Sequence, residues 1–321
     1  MILKENSVLL ETLRKDRDNS RNLLFTEPEK IITCQKPADL QQCFRRMEDY
    51  RRQGCYLAGF FAYELGYFLE ESLNQYCPRY DSPLLWFGAY KKPARRWPDN
   101  PKRDSVDFHL SEPRPAVSYR QYEKAIRKIK TLIARGETYQ INYTTRYNFD
   151  FKGDIAAFYE ELKKQQQVSY SALIRLNGSA IISLSPELFF RVDAKRNITV
   201  KPMKGTAPHS ASARRLSSDM KNTSENVMIV DLLRNDLGRI CLPGTVKVKK
   251  LFEVEKYETL LQMTSTVTGR IKPGVKIFDM VKSLFPCGSV TGAPKIQSMK
   301  IISSLEDGPR NIYTGAIGYF A

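Results

Sequence analysis

Apolar and polar residues alternate through YSALIRL-NG-SAIISL (170–184), and Asn177-Gly178 between the two runs predicts a hairpin closed by a two-residue type I′ turn. FFRVD-AKRN-ITVKPMKGT (189–206) predicts a second hairpin. After Tyr119 the period becomes helical: Tyr122, Ala125, Ile126, Ile129, Leu132 and Ile133 share a stripe, and Gly136 supplies the stop. YQINYTTRYNF (139–149) alternates again and predicts a strand. Tyr139, Ile141 and Tyr143 form one face; Gln140, Asn142, Thr144 and Arg146 form a wholly polar one, which looks at water or at a polar cleft. GCYLAGFFAY (54–63) reads as a buried strand leading into a helix. Further helices are predicted from about Asp219 to Leu237, over KIFDMVKSLF (276–285), and from Ala293-Pro294, with proline near the first helical position. Strand pairs joined by tight turns, with helices interspersed, define an α+β fold with antiparallel sheet.

Two parts emerge, residues 1–90 and 119–321, joined by a basic, proline-rich linker over 91–118 that includes KKPARRWPDNPKRD. The 321 residues, 42% hydrophobic with 17 Tyr and 16 Phe, can build a sizeable core. The net charge of +16 raises nucleic acid as a partner, but the 51 Lys and Arg are spread along the chain. No helix-turn-helix, zinc-finger or RNA-binding signature accompanies them, so no nucleic-acid role is expected. Six cysteines without a C-x-x-C pair, and only two histidines, argue against zinc and fit a reducing cytoplasm. The N-terminal MILKENSVLLETLRKDRDNS is broken by charge too early for a signal peptide, and no run approaches the roughly 20 apolar residues of a spanning helix. No membrane association is expected.

Three residues stand out for chemistry. Lys204, in ITVKPMKGT, shares a period-two face with Ile198 and Val200, where lost hydration would lower its pKa toward that of a nucleophilic amine. A lysine at a strand end that snorkels to water is the alternative. Gly205 permits close backbone approach to a ligand. Glu187, past Ser185-Pro186, is either a positioned general acid or an ordinary helix-start charge. Glu225, in the apolar helix SENVMIVDLLRNDLG, requires a cation or a proton: a hard oxygen-liganded ion such as Mg²⁺ is one candidate, and an ion pair with Arg234 or another base is the other. FPCGSVTGAPK (285–295) feeds a glycine-rich turn into a helix N-terminus but fails the P-loop pattern, leaving a structural tight turn as the default.

Taken together, GETYQINYT (136–144), SLSPELFF (183–190), KPMKGTAP (201–208), SENVMIVDLLRNDLGR (224–239), FPCGSVTGAPK (285–295) and YTGAIGYF (313–320) resemble the chorismate-utilising enzymes, in the family's order. CYLAGFFAYELGY (55–67) is similar to the family's N-terminal region. The resemblance implies a large two-sheet antiparallel sandwich flanked by helices, with chorismate and Mg²⁺ between the sheets. Gln140 stands where water-adding members carry a lysine base, which points to an ammonia-using member. Pro202-Met203-Lys204-Gly205-Thr206 is similar to the P-I-K-G-T of aminodeoxychorismate synthase component I, where anthranilate synthases carry alanine for lysine. The resemblance therefore implies a covalent nucleophile at Lys204, a general acid at Glu187 and Mg²⁺ on Glu225. It implies substrate contacts at Gln140, Gly205, Thr206 and Tyr313, and ammonia from a separate glutamine amidotransferase. Gln262 and Asn222 depart from the family's usual histidine and acidic residue. The chain ends at GAIGYFA, where the family continues with an arginine, a second metal-binding glutamate and a lysine. A C-terminally truncated member is thus expected. Anthranilate synthase component I, or a fragment that only binds chorismate or the partner, are the other readings.

Overall fold

In the computed structural model, which describes residues 3–15, 19–94 and 108–321, three antiparallel sheets of four or five strands carry the chain. Residues 95–107 of the expected linker lie outside the described residues. In the first sheet Ser179–Ser185, Tyr170–Leu176, Ser7–Glu11 and Leu23–Phe25 lie side by side in that order. The second runs Ala316–Phe320, Tyr56–Phe61, Leu85–Tyr90, Lys30–Cys34. Ser7–Glu11 pairs with Tyr170–Leu176, and Tyr56–Phe61 with Ala316–Phe320, so the early and late parts of the chain are interleaved in both sheets.

Alternation explains the stacking. Val8, Phe25, Phe60, Trp86, Tyr90 and Ile174 fill the space between these two sheets. The outer face of the second is covered by the helices Leu40–Arg52 and Ile277–Leu284 through Phe44, Met47, Phe61, Phe87 and Val281. In the third sheet Leu188–Val192, Asn197–Lys201, Leu260–Arg270 and Met203–Pro208 adjoin, and Lys247–Lys256 also pairs with Leu260–Arg270. Onto it packs the helix Met220–Ile240, through Ile229, Leu233 and Leu237 against Ile198, Val200 and Val267. Asp219 starts that helix, accepting the Asn222 N–H at 2.8 Å. Among the described residues no helix is long and apolar enough to cross a membrane.

Three local expectations change. The 177–178 turn joins Leu176 to Ser179 as expected, but positive φ occurs at Gly178 (+75°) and not at Asn177, so the turn is not type I′. The run 139–149 is not one strand: only Gln140–Ile141 and Tyr147–Asn148 are paired. Between them the Asn142 N–H donates to Thr291 O at 2.9 Å and the Thr144 N–H to Glu306 Oε1 at 2.8 Å, which draws the backbone off a continuous ladder. The run 197–208 is two strands, because Pro202 has no N–H to donate; both pair with Leu260–Arg270, with a register shift between Met203 and Thr206. Counting in twos across Pro202 therefore does not fix where Lys204 points.

Arg310, 5% exposed, ties several of these pieces together. Its guanidinium donates to both oxygens of Glu306 (2.9 and 2.7 Å), to Asn142 O (2.6 Å), Val290 O (2.9 Å) and Thr314 Oγ1 (3.2 Å). It also lies 4.5 Å from the Tyr63 ring centre. Removing one partner of such a pair strands the other's charge, so Arg310→Met is expected to destabilise by about 3–5 kcal/mol in urea denaturation. A loss below about 1 kcal/mol would show that the pair does not organise the fold.

Glu64 is 1% exposed; its Oε1 accepts the Arg310 N–H at 2.7 Å and its Oε2 has no partner. Burial lifts the carboxyl from the usual 4.5 to about 7. A raised folded-state pKa gives stability that is complete below 4.5 and lost as the pH rises through 7. The shift corresponds to about 3 kcal/mol. Glu64→Gln should flatten that part of the wild-type stability profile between pH 5 and 8; unchanged curvature would contradict the assignment.

Candidate active site

The site is assembled where the third sheet, the helix Met220–Ile240 and the segments around 142 and 289 converge. Lys204 Nζ donates to Asn142 Oδ1 at 3.1 Å. Burial lowers the lysine's pKa, opposed by the attraction of Glu187, Glu225 and Cys287. Gly205 follows with φ +92°, and an added Cβ would sit 3.1 Å from Met263 Cε and 3.2 Å from Asn222 Cβ.

Glu187 lies in the bend between Ser179–Ser185 and Leu188–Val192, where its N–H donates to Ser185 Oγ at 3.2 Å. It starts no helix. Its Oε1 accepts from Ser289 Oγ at 2.5 Å. Burial raises its pKa, opposed by Ser289, Lys204 and the Met203 N–H. Its burial is intermediate, so some of its surface still faces solvent. Desolvation thus drives the lysine toward the free amine and the glutamate toward the carboxylic acid, and both forms are needed if one attacks while the other donates a proton.

Two members of the cluster were not singled out from sequence. Asn142 holds Lys204 with Oδ1 and donates its Nδ2 to Ser289 O at 2.5 Å; its place on the polar face of 139–149 was the available signal. Ser289, 5% exposed, lies inside the glycine-rich FPCGSVTGAPK. That motif is not an anion cradle. A Cβ on Gly288 would meet Leu232 Cδ2 at 2.3 Å, and one on Gly292 the Gln140 carbonyl oxygen at 2.1 Å, so these glycines serve close packing. Lys295 of the same motif pairs with Asp236 at 2.7 Å.

The other predicted residues border this cluster to differing degrees. Gln140 is fixed through its backbone oxygen, which accepts from Thr138 and Ser298, and its buried Oε1 has no partner. Thr206 Oγ1 donates to Gln262 Oε1 at 2.7 Å on the exposed side of the strand. Tyr313, 65% exposed, stands at the mouth of a cleft of about 390 Å³ lined by Ile126, Ile129, Asn142, Ser289 and Thr314. Glu225 is partly exposed, and the alternative pairing with Arg234 is not formed, because Arg234 bonds Asp231 at 3.0 Å. Among the described residues no cluster of three or more His, Cys, Asp or Glu could hold a metal.

The α+β frame thus brings Lys204, Asn142, Ser289 and Glu187 into one polar cluster. The chain belongs to the chorismate binding enzyme family, whose profile matches residues 5–321. It is 38% identical over 208 residues to aminodeoxychorismate synthase component 1 of Salmonella typhimurium, covering 63% of this chain and 46% of that one. With the Escherichia coli K12 protein of the same name the figures are 37% over 223 residues, 67% and 49%. The chain thus spans about half the length of these curated relatives. Among solved structures, anthranilate synthase component I from Streptococcus pneumoniae superposes with TM-score 0.78 at 24% identity, covering 100% of this chain and 82% of that one. MenF, the menaquinone-specific isochorismate synthase of Escherichia coli, superposes with 0.71 at 14% identity, covering 98% and 76%. These two likenesses establish the fold, including the expected antiparallel α+β architecture.

Gly205→Ala tests the backbone at the site. At φ +92° an alanine is strained by about 1–2 kcal/mol and crowds Asn222, so the variant should lose about that much stability in urea denaturation. Wild-type stability would show that the turn tolerates a side chain.

Proposed function

We propose that this chain acts as aminodeoxychorismate synthase component I, converting chorismate and ammonia to 4-amino-4-deoxychorismate, the precursor of p-aminobenzoate in folate synthesis. The observation that carries the reading is the Lys204 amine, desolvated and held by Asn142 within the same cluster as Glu187. The names of its relatives support the same branch. Gln140 adds to it: an amide cannot accept a proton at neutral pH, so nothing at that position activates water.

In this mechanism the neutral Lys204 amine attacks C2 of the chorismate ring. The two conjugated ring double bonds shift, and the C4 hydroxyl leaves as water with the proton of Glu187. Ammonia then adds at C4, the double bonds return, and the C2–N bond breaks to release the neutral lysine amine. The surplus proton of the added ammonia restores Glu187. Asn142 orients the amine, while Gln140, Gly205, Thr206 and Tyr313 contact the substrate. Glu225 lies close enough to act on Lys204, and Arg234 is taken up by Asp231, so Glu225 could serve as one carboxylate ligand of a Mg²⁺. When bound, that ion would offset the charge of the substrate's ring carboxylate. Ammonia comes from a glutamine amidotransferase partner, and the six unpaired cysteines support a cytoplasmic setting.

With ammonium salt as nitrogen source, Lys204→Ala should reduce formation of aminodeoxychorismate by at least about 10³-fold, followed by chromatography. Chorismate binding should persist. The wild-type rate should fall on the acid side as the amine protonates and on the alkaline side as Glu187 ionises. Undiminished amination by the alanine variant would refute the covalent route, and anthranilate as product would favour the other synthase.

A further inference from the structure

Ser289 has no role in the mechanism above, yet it touches the group that supplies the proton. Its hydroxyl oxygen lies 2.5 Å from Glu187 Oε1 and 3.0 Å from Cys287 Sγ. A hydroxyl has one hydrogen and can donate in only one of these directions at a time. Glu187 Oε1 accepts whether the carboxyl is ionised or carries its proton on Oε2, so the hydrogen goes to Glu187, and the thiol S–H completes the second contact. The thiol is able to do so because burial pushes its pKa up to about 11, so it keeps its proton at neutral pH. The Asn142 Nδ2, which donates to Ser289 O at 2.5 Å, fixes the serine from its backbone side. The same asparagine holds Lys204.

We propose that Ser289 is a positioning residue for the general acid: its hydroxyl anchors Glu187 Oε1, leaving Oε2 to carry the proton toward the substrate, and the Cys287 thiol sets the serine rotamer. This rests on the proposed role of Glu187 as acid. One oxygen of the carboxyl is thereby committed to the protein. The other is the sole site for the transferable proton, and no rotation of the carboxyl is needed before donation. The groups that act on this carboxyl are Lys204, Ser289, the Met203 N–H and, from the far side of the serine, Cys287. Glu225 acts through Lys204. Losing the serine hydrogen bond removes a donor that favours the charged form, so Glu187 would titrate higher.

The test compares Ser289→Ala, Ser289→Thr and Cys287→Ser in steady-state turnover with chorismate and ammonium chloride. Alongside it, Glu187 is titrated by carbon-13 NMR of the labelled side-chain carboxyl. Ser289→Ala should lower kcat about 10- to 100-fold with KM within about threefold, and raise the Glu187 midpoint by about one pH unit. Ser289→Thr, which keeps the hydroxyl, should recover most of kcat, and Cys287→Ser, which keeps a donor, should lose less of kcat than Ser289→Ala. An alanine variant with unchanged kcat and unchanged Glu187 midpoint would overturn the proposal, as would a threonine variant no better than alanine. If wild type makes no aminodeoxychorismate, the functional reading fails, while the NMR titration still decides whether Ser289 governs Glu187.

Discussion

The buried pair of Arg310 with Glu306 is the contact on which the site's geometry rests. A guanidinium has five donors in a rigid plane, and here all three of its nitrogens are bonded. Two acceptors are the carbonyls of Asn142 and Val290, each next to or part of the cluster around Lys204 and Glu187. The partner Glu306 in turn receives the Thr144 N–H. One ion pair thus pins both sides of the 142–144 segment and the segment that presents Ser289. Burying such a pair is no guarantee of net stability, because desolvation offsets most of the attraction. Its value lies in direction: a planar fork admits one arrangement of its acceptors.

From that constraint the electrostatics follow. Asn142, held through its carbonyl by Arg310, spends its own side chain on Lys204 and on the backbone of Ser289. The amide itself carries no charge. An asparagine oxygen can orient an ammonium or a neutral amine without forcing it to stay ionised, as a carboxylate at that place would. The lysine is therefore positioned by a neutral group and desolvated by its surroundings, and the carboxylates of Glu187 and Glu225 act on it without a direct bond.

Much of the architecture was legible from periodicity: the 170–185 hairpin, the 119–134 and 220–240 helices and the antiparallel character all follow from alternation, caps and stops. What failed failed where tertiary hydrogen bonds or proline overrode the period. The polar face of 139–149 was real, but its residues are bonded to Thr291 and Glu306, far along the chain, and no local pattern announces that. Pro202 ended a strand that counting in twos had carried through. For the site, Lys204, Glu187 and Glu225 stood out by chemistry and by family resemblance. Arg310 did not, because a single arginine in EDGPRN looks like any solvated charge until the fold buries it.

Lys204 and Glu187 also constrain one another. While Glu187 is ionised, its charge favours the ammonium form of Lys204; once protonated, that attraction is gone and desolvation is opposed more weakly, with Glu225 the carboxylate still acting on the amine. The two groups therefore exchange preference together: proton on the acid, none on the amine, or the reverse. Both states hold the same number of protons, so a titration of the whole site sees the pair rather than either residue. In the proposed mechanism the reactive state is the one with the neutral amine and the protonated acid. Loss of water favours it, because that state places no charge on either group, whereas water would favour the ion pair. On that reading, a substrate that expels water selects the form of the site that can both attack and protonate.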